Sequence, residues 1–312
     1  MLQNAVVRLL KIGVKTTGLA LCLTVSSNSL AKPQNVVARG ANVKKASPAL
    51  WVVRDKDSTL YLFGTMHALS PTTQWNSPAL KNAMAGSEEE VWFEAEPPTE
   101  PTAIQSVIRQ FGIDKAKPLS WKLNKSEMTT FNEAIGKLGM NVEQVDVMRP
   151  WLAAMSLAGL PLIEAGYDQT KGADPLLLAA AKAAGKQVKT FEAAEQQVRF
   201  FADLPPVIEL ELLRETLKTY KDGPAEIRKM EAAWARSDEK ALWTLGGSPM
   251  KAQFPAVYNA LLSDRNRKWA DVIAKELEGK GSDFIAVGAL HLVGPDSVQA
   301  LLKARGYKVQ RH

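Results

Sequence analysis

The chain has 312 residues, 46% hydrophobic and 23% charged, with a formal net charge of +6. This is ordinary globular composition with ample apolar material for a core, and no short-period repeat or low-complexity tract interrupts it. No Lys/Arg cluster or aromatic-interleaved basic stripe accompanies the positive charge, which excludes nucleic acid as the expected partner.

Residues 1–31 stand apart from that core. Arg8, Lys11 and Lys15 form a positive opening, Val14 to Val25 is apolar, and Ser29 and Ala31 place small residues at −3 and −1 of a cut after Ala31. This is the layout of a cleaved secretory signal peptide. The apolar stretch falls short of the roughly 20 residues that span a bilayer, so no stable membrane span is expected after cleavage. Removal takes away three positive residues and no negative one, which leaves +3. Cys22 is the only cysteine and leaves with the signal, so no disulfide, thiolate metal site or cysteine nucleophile is expected afterwards. A lipoprotein reading through Cys22 is disfavoured because Leu21 precedes it where a small residue is wanted. Export to the periplasm, or secretion, is the expectation.

Lys32 to Ala49 is polar, contains Pro33, Gly40 and Pro48, and reads as a flexible lead-in over 32–49. The α/β domain is expected over 50–312. Leu50–Arg54 and Thr59–Phe63 flank the turn Asp55–Ser58 as a hairpin. A helix is expected from Pro78 to Ala85 and a strand from Glu90 to Glu96. The pattern from Thr102 to about Leu160 is helical, interrupted near Pro118. Asp174 to Ala184 reads as a helix closed by Gly185, and Lys186–Glu192 as a strand. Residues 193 to about 278 are mostly helical, with breaks at Pro205-Pro206, Gly223-Pro224 and Gly246-Gly247. Ser282–Val287 is a further apolar strand, Val298–Arg305 a helix and Tyr307–Val309 an edge strand. Strands alternating with helices predict an α/β fold, with a central largely parallel or mixed sheet flanked by helices and a helical insertion or cap.

One internal match concerns chemistry. Leu60-Tyr61-Leu62-Phe63 leads into Gly64-Thr65-Met66-His67, and Phe284-Ile285-Ala286-Val287 leads into Gly288-Ala289-Leu290-His291. The only other histidine is His312, the last residue. In α/β sheets ligands gather beyond the carboxyl ends of the strands. A glycine there allows a positive φ or a close backbone approach. Two such strands could bring two imidazoles to one point, and Glu94, at the end of its own strand, offers a carboxylate to complete a metal site. Strand parity sets Glu94 on the face opposite Phe93 and Ala95. The plainer alternatives are hydrogen-bonded structural histidines, a solvated acidic face at Glu88-Glu89-Glu90, and Glu96 in place of Glu94. Trp75, Trp92, Trp121, Trp151, Trp234, Trp243 and Trp269 read as core or interface anchors. No Gly-x-Ser-x-Gly elbow, P-loop, Gly-x-Gly-x-x-Gly or His-Glu-x-x-His occurs.

Several segments, taken in order, resemble the TraB/GumN family, whose relatives include the Tiki proteases. They are Trp51-Val52-Val53 with Thr59 through His67, then Val91 through Glu94, then Arg149-Pro150-Trp151. Gly172 through Asp174 follows, then Phe191-Glu192 with Glu195-Gln196, Arg265-Asn266 with Trp269, and Ala286 through Gly294. The resemblance implies a metal-dependent peptidase whose metal-binding or catalytic set is His67, His291 and Glu94. It also implies a role for Arg265, either stabilising an oxyanion or holding a carboxylate. Met148-Arg149 receives no role. The leading expectation is therefore metal-assisted hydrolysis of a peptide or related amide outside the cytoplasm. A Zn, Mn or Co ion would be held by His67 and His291, with Glu94 as third ligand or general base. Two alternatives stay open: a non-enzymatic periplasmic protein that binds a peptide or small signal molecule, and a metal-free hydrolase with a histidine as general base and Arg265 as electrophile.

Overall fold

The computed structural model describes residues 44–87, 90–95 and 101–312. The expected signal peptide with Cys22, most of the lead-in, and Glu88, Glu89 and Glu96 lie outside them. The strands are β1 (Lys44–Lys45), β2 (Leu50–Arg54), β3 (Ser58–Thr65), β4 (Thr73–Gln74), β5 (Glu90–Ala95), β6 (Gln187–Glu192), β7 (Gly281–Gly288) and β8 (Lys308–Arg311). Six of them form one sheet in the order β6-β5-β7-β3-β2-β8. Neighbours from β6 to β3 run parallel, while β2 is antiparallel to both β3 and β8. The sheet is thus mixed. The antiparallel step arises because only the turn Asp55–Asp57 joins β2 to β3, and a tight hairpin reverses direction.

Strict alternation along the central strands buries both faces. Phe63, Val91, Phe93, Phe284 and Ala286 pack on one side with Trp75, Trp234 and Leu177. Leu60, Leu62, Ile285 and Val287 pack on the other with Trp269, Ile273, Val298 and Leu302. Such two-sided burial is what a covered parallel sheet requires. A separate core lies among the helices of the middle of the chain, around Phe131, Trp151, Leu157, Val198 and Leu213. The expected helical cap is therefore a packed layer with its own interior. Arg149 knits it together, donating to the carbonyls of Phe111 and Ala202, both at 2.8 Å, and to the buried Glu209.

Three expectations change. The end of the lead-in is pinned, since β1 pairs with β4, and the Ser47 N–H donates to the Ala235 carbonyl at 2.8 Å. Gly246-Gly247 does not break the chain but sits in a π-helical turn, Trp243–Gly247, where the wider ring absorbs the pair. Trp121 is not a core anchor: its single 3-10 turn, Leu119–Trp121, buries Leu119 and leaves Trp121 78% exposed. Among the described residues no helix is long and apolar enough to cross a membrane.

Candidate functional site

The parallel strands β3, β5, β6 and β7 all end at the same edge of the sheet, and each delivers a polar group there. β3 ends at Thr65 and leads to His67, β5 carries Glu94, β6 ends at Glu192, and β7 leads into the 3-10 turn Ala289–Leu292 with His291. The helix Asp264–Glu276 adds Arg265, Asn266 and Trp269, and the first turn of the helix Ala173–Ala183 adds Asp174. An acid there is favoured by the helix dipole. A cavity of about 300 Å³ opens above this edge, and His67, Glu94, Arg265 and His291 all line it. The four residues expected from the sequence do come together.

Gly288 is the point where they meet. A Cβ built there would stand 3.0 Å from Glu94 Oε1, 3.6 Å from His291 Cδ2 and 3.9 Å from His67 Nε2. Its φ of −52° is open to any residue, so close approach rather than a positive φ explains this glycine. Gly64 is alike: a Cβ there would meet the Ala289 backbone at 3.1 Å.

The two histidines have opposite surroundings. Asn266 spends its Nδ2 on the Asp296 carbonyl, at 2.7 Å, so its Oδ1 accepts from His291 Nδ1–H, at 2.6 Å. His291 Nε2 therefore carries the lone pair and accepts from Arg265 Nη1 at 3.1 Å. His291 is 4% exposed, and its ring packs against Trp269 in a tilted arrangement with centroids 4.4 Å apart. Burial, aided by the neighbouring Arg265 charge, pushes its pKa down to about 3 against the pull of Glu94. His67 Nδ1 instead faces Asp174 Oδ2 at 2.9 Å, and Thr65 Oγ1 donates to the other Asp174 oxygen at 2.6 Å. Burial lowers the His67 pKa, but Asp174 and Glu94 outweigh it and raise it to about 9. With 35% of its side chain open, His67 turns Nε2 toward the cavity.

Arg265 holds carboxylates. Nε donates to Glu192 Oε1 at 2.7 Å, and Nη2 to Glu94 Oε2 at 2.6 Å and Glu192 Oε2 at 2.9 Å. Nη1 donates to the Leu261 carbonyl at 2.9 Å and to His291. All five guanidinium N–H groups are thus engaged, and none is left for an oxyanion. Of the two roles that the resemblance allowed, the geometry matches the second. Glu192 also accepts from Trp269 Nε1 at 3.0 Å and Gln197 Nε2 at 3.2 Å. Glu94 accepts in addition from the Gly288 N–H at 2.6 Å. Burial would raise the Glu94 pKa, but Arg265 above all holds it well below the carboxylate range.

These bonds bear on a divalent ion at His67, His291 and Glu94. Two imidazoles and a carboxylate are suitable donors for Zn, Mn or Co. As arranged, however, both His291 nitrogens and both Glu94 oxygens already have partners, and only His67 Nε2 faces the cavity free. Among the described residues, the trio of acidic or histidine side chains whose ligand atoms all lie within 4.8 Å of one another is Glu90, Glu276 and Asp283. That trio sits by the amino ends of β5 and β7, away from the cavity. The three expected ligands do not form a ready set unless Arg265 lets go.

Sequence reasoning did not assign Asp174, Glu192, Thr65 or Asn266 to the site. Glu192 carried a usable signal, because it ends a strand as Glu94 nearly does. Asp174 carried only its place in the family-like segment Gly172 through Asp174, because its link to His67 is tertiary. Gly172 makes that link possible: a Cβ there would stand 2.1 Å from the His67 carbonyl oxygen, and the Ala173 N–H donates to the Met66 carbonyl at 2.8 Å.

Comparison with known proteins agrees with the family resemblance. The chain is 24% identical over 261 residues to the uncharacterized protein YbaP of Escherichia coli (strain K12), covering 82% of this chain and 92% of that protein. It matches the uncharacterized protein YbaP of Shigella flexneri to the same extent. No solved structure gives a significant match. Residues 49–311 match the model of the TraB/PrgY/gumN family, and the chain belongs to that family.

Proposed function

We propose that the cavity at the carboxyl ends of β3, β5 and β7 is the site of a hydrolase acting on a peptide or related amide bond, with His67 as its proton-transfer group. The observation that carries this reading is the Thr65–Asp174–His67 chain, which commits one ring nitrogen and leaves the other facing the cavity. His67 acts as the base in its deprotonated form, which its raised pKa of about 9 populates increasingly toward alkaline pH. It then takes a proton from an attacking water at Nε2 and returns it to the leaving amine. Asp174 fixes the tautomer and stabilises the imidazolium that forms between those steps. Arg265, Glu94, Glu192 and His291 make the rigid, hydrogen-bonded wall against which the substrate lies. Work outside the cytoplasm is part of the proposal and is supported by the signal-like pattern of residues 1–31.

A metal-dependent hydrolase is the second reading. What favours it is the convergence of His67, Glu94 and His291 about Gly288. What weighs against it is the hold of Arg265 on two of the three.

Peptidase assays with and without chelator, alongside metal analysis of the purified chain, separate the readings. The first reading expects chelator-insensitive turnover that is lost in His67→Ala. One tightly bound ion per chain, lost in both His67→Ala and His291→Ala, together with chelator-sensitive turnover, contradicts it and favours the second. Full activity in His67→Ala sinks both. Peptide binding without turnover in the unaltered chain points to a binding protein.

A further inference from the structure

His67 does not sit at the end of a cavity. Besides the cavity already described, a second hollow of about 290 Å³ also borders His67, and the two share Met66, His67 and Met230. The first continues toward Phe200, Phe201, Met250 and Leu261, the second toward Leu162, Ile227 and Leu245. Both are apolar away from His67, so each suits an apolar side chain. Met66 and Met230 form the saddle between them, and methionine adapts to varied apolar shapes.

Charged groups are scarce along this path. The first cavity offers only Glu94 and Arg265 beside His67, and the Arg265 donors are all engaged. The second offers only Glu226, which pairs with Lys229 at 2.7 Å. A site for chain ends needs a free charge to hold a terminal ammonium or carboxylate. Apart from His67 itself, whose Nδ1 is paired with Asp174, the charged groups lining the two hollows are all paired among the described residues.

We infer that the substrate is an extended peptide segment lying across His67, with an apolar side chain in each hollow and the reacting bond between them. This rests on the hydrolase reading and narrows it to internal bonds flanked by apolar residues.

The test uses the full chain and internally quenched octapeptides, acetylated and amidated at their ends, with Leu or Phe against Asp or Lys on either side of the central bond. The expected result is internal cleavage, with kcat/KM at least about tenfold higher for the apolar pairs, because a charge entering either hollow loses its water. Ile227→Glu and Met250→Glu each place a charge in one hollow. Each is expected to reduce the apolar preference on one side of the bond and leave the other side's preference intact. Cleavage without apolar preference, cleavage only after an end is unblocked, or indifference of the preference to both variants overturns the inference.

A separate measurement keeps the hydrolase reading distinguishable. If the unaltered chain cleaves nothing, calorimetric titration with the blocked Leu-Phe octapeptide decides. Binding weakened by both variants retains the two-sided groove while the hydrolase reading falls. No binding overturns the groove as well.

Discussion

The two Gly-x-x-His elements share a sequence pattern and a strand-end position, yet they make two different histidines. His67 is a third exposed, paired with a carboxylate, and holds its proton up to about 9. His291 is buried between Asn266, Arg265 and Trp269, and stays neutral down to about 3. One residue of register separates them. Thr65, not Gly64, pairs with Gly288, so equivalent motif positions fall on opposite faces of the pleat. The first motif's histidine meets the helix Ala173–Ala183, and the second's meets the helix Asp264–Glu276. A repeated motif therefore marks a place in the fold, while the neighbouring helices decide what each copy does there.

The largest expected effect separates the pair by rate. His67→Gln should lower kcat/KM by roughly 10²–10⁴, the range of a lost acid–base group, with the fold retained. His291→Gln should instead lower Tm, because it disturbs the partners of both Asn266 and Arg265, at about 1–3 kcal/mol for each buried group left unpaired. Thermal melts beside assays on both variants check this, and equal loss of rate in two well-folded variants would erase the distinction.

Removing the charge that holds the His291 side together comes next. Arg265→Gln leaves Glu94 and Glu192 buried without their cation and should cost about 3–5 kcal/mol. Denaturant unfolding reads it. Arg265→Lys should recover only part of this, since an ammonium cannot reproduce the guanidinium fork.

A smaller effect tests the His67 side. Gly172→Ala forces the helix Ala173–Ala183 away from the His67 carbonyl and should cost about 1–3 kcal/mol, as overpacking does. The kcat/KM should fall with it, because Asp174 moves too. A variant with unchanged activity and stability would mean that the close approach at Gly172 is not needed.

The smallest effect is the pH dependence of stability, where the two histidines pull oppositely. The raised pKa of His67 gives stability that is present below the unfolded value of 6.5 and lost as pH rises toward about 9. The lowered pKa of His291 makes the unfolded chain take up a proton first, so stability falls as pH drops from 6.5 toward 3. Glu94, also depressed, contributes above its unfolded value of 4.5 and is lost as pH falls below it. Tm against pH should therefore peak near neutrality, and a monotonic rise from pH 6 to 9 would contradict the His67 part.

Much of this was legible in the sequence. Alternation of Leu60, Leu62, Ile285 and Val287 against Phe63, Phe284 and Ala286 marks a sheet buried on both faces, and the glycines mark where the strands stop. The scarcity of histidine singled out His67 and His291, and parity placed Glu94 on the face that meets Arg265. Register between β3 and β7 was not legible, because residues over 200 positions apart carry no local sign of which one pairs with which. Nor was the partnership of Asp174 with His67, which depends on a helix seated by Gly172. The mixed direction of the sheet, by contrast, followed from the short turn after Arg54.

The most direct test is a ¹⁵N titration of the imidazole nitrogens across pH 5–10, with assignments from His67→Gln and His291→Gln. The account predicts that His67 loses its proton near 9, while His291 stays a neutral Nδ1–H tautomer throughout. A His67 that titrates at the ordinary value near 6.5, or a His291 that becomes charged within that range, would contradict it.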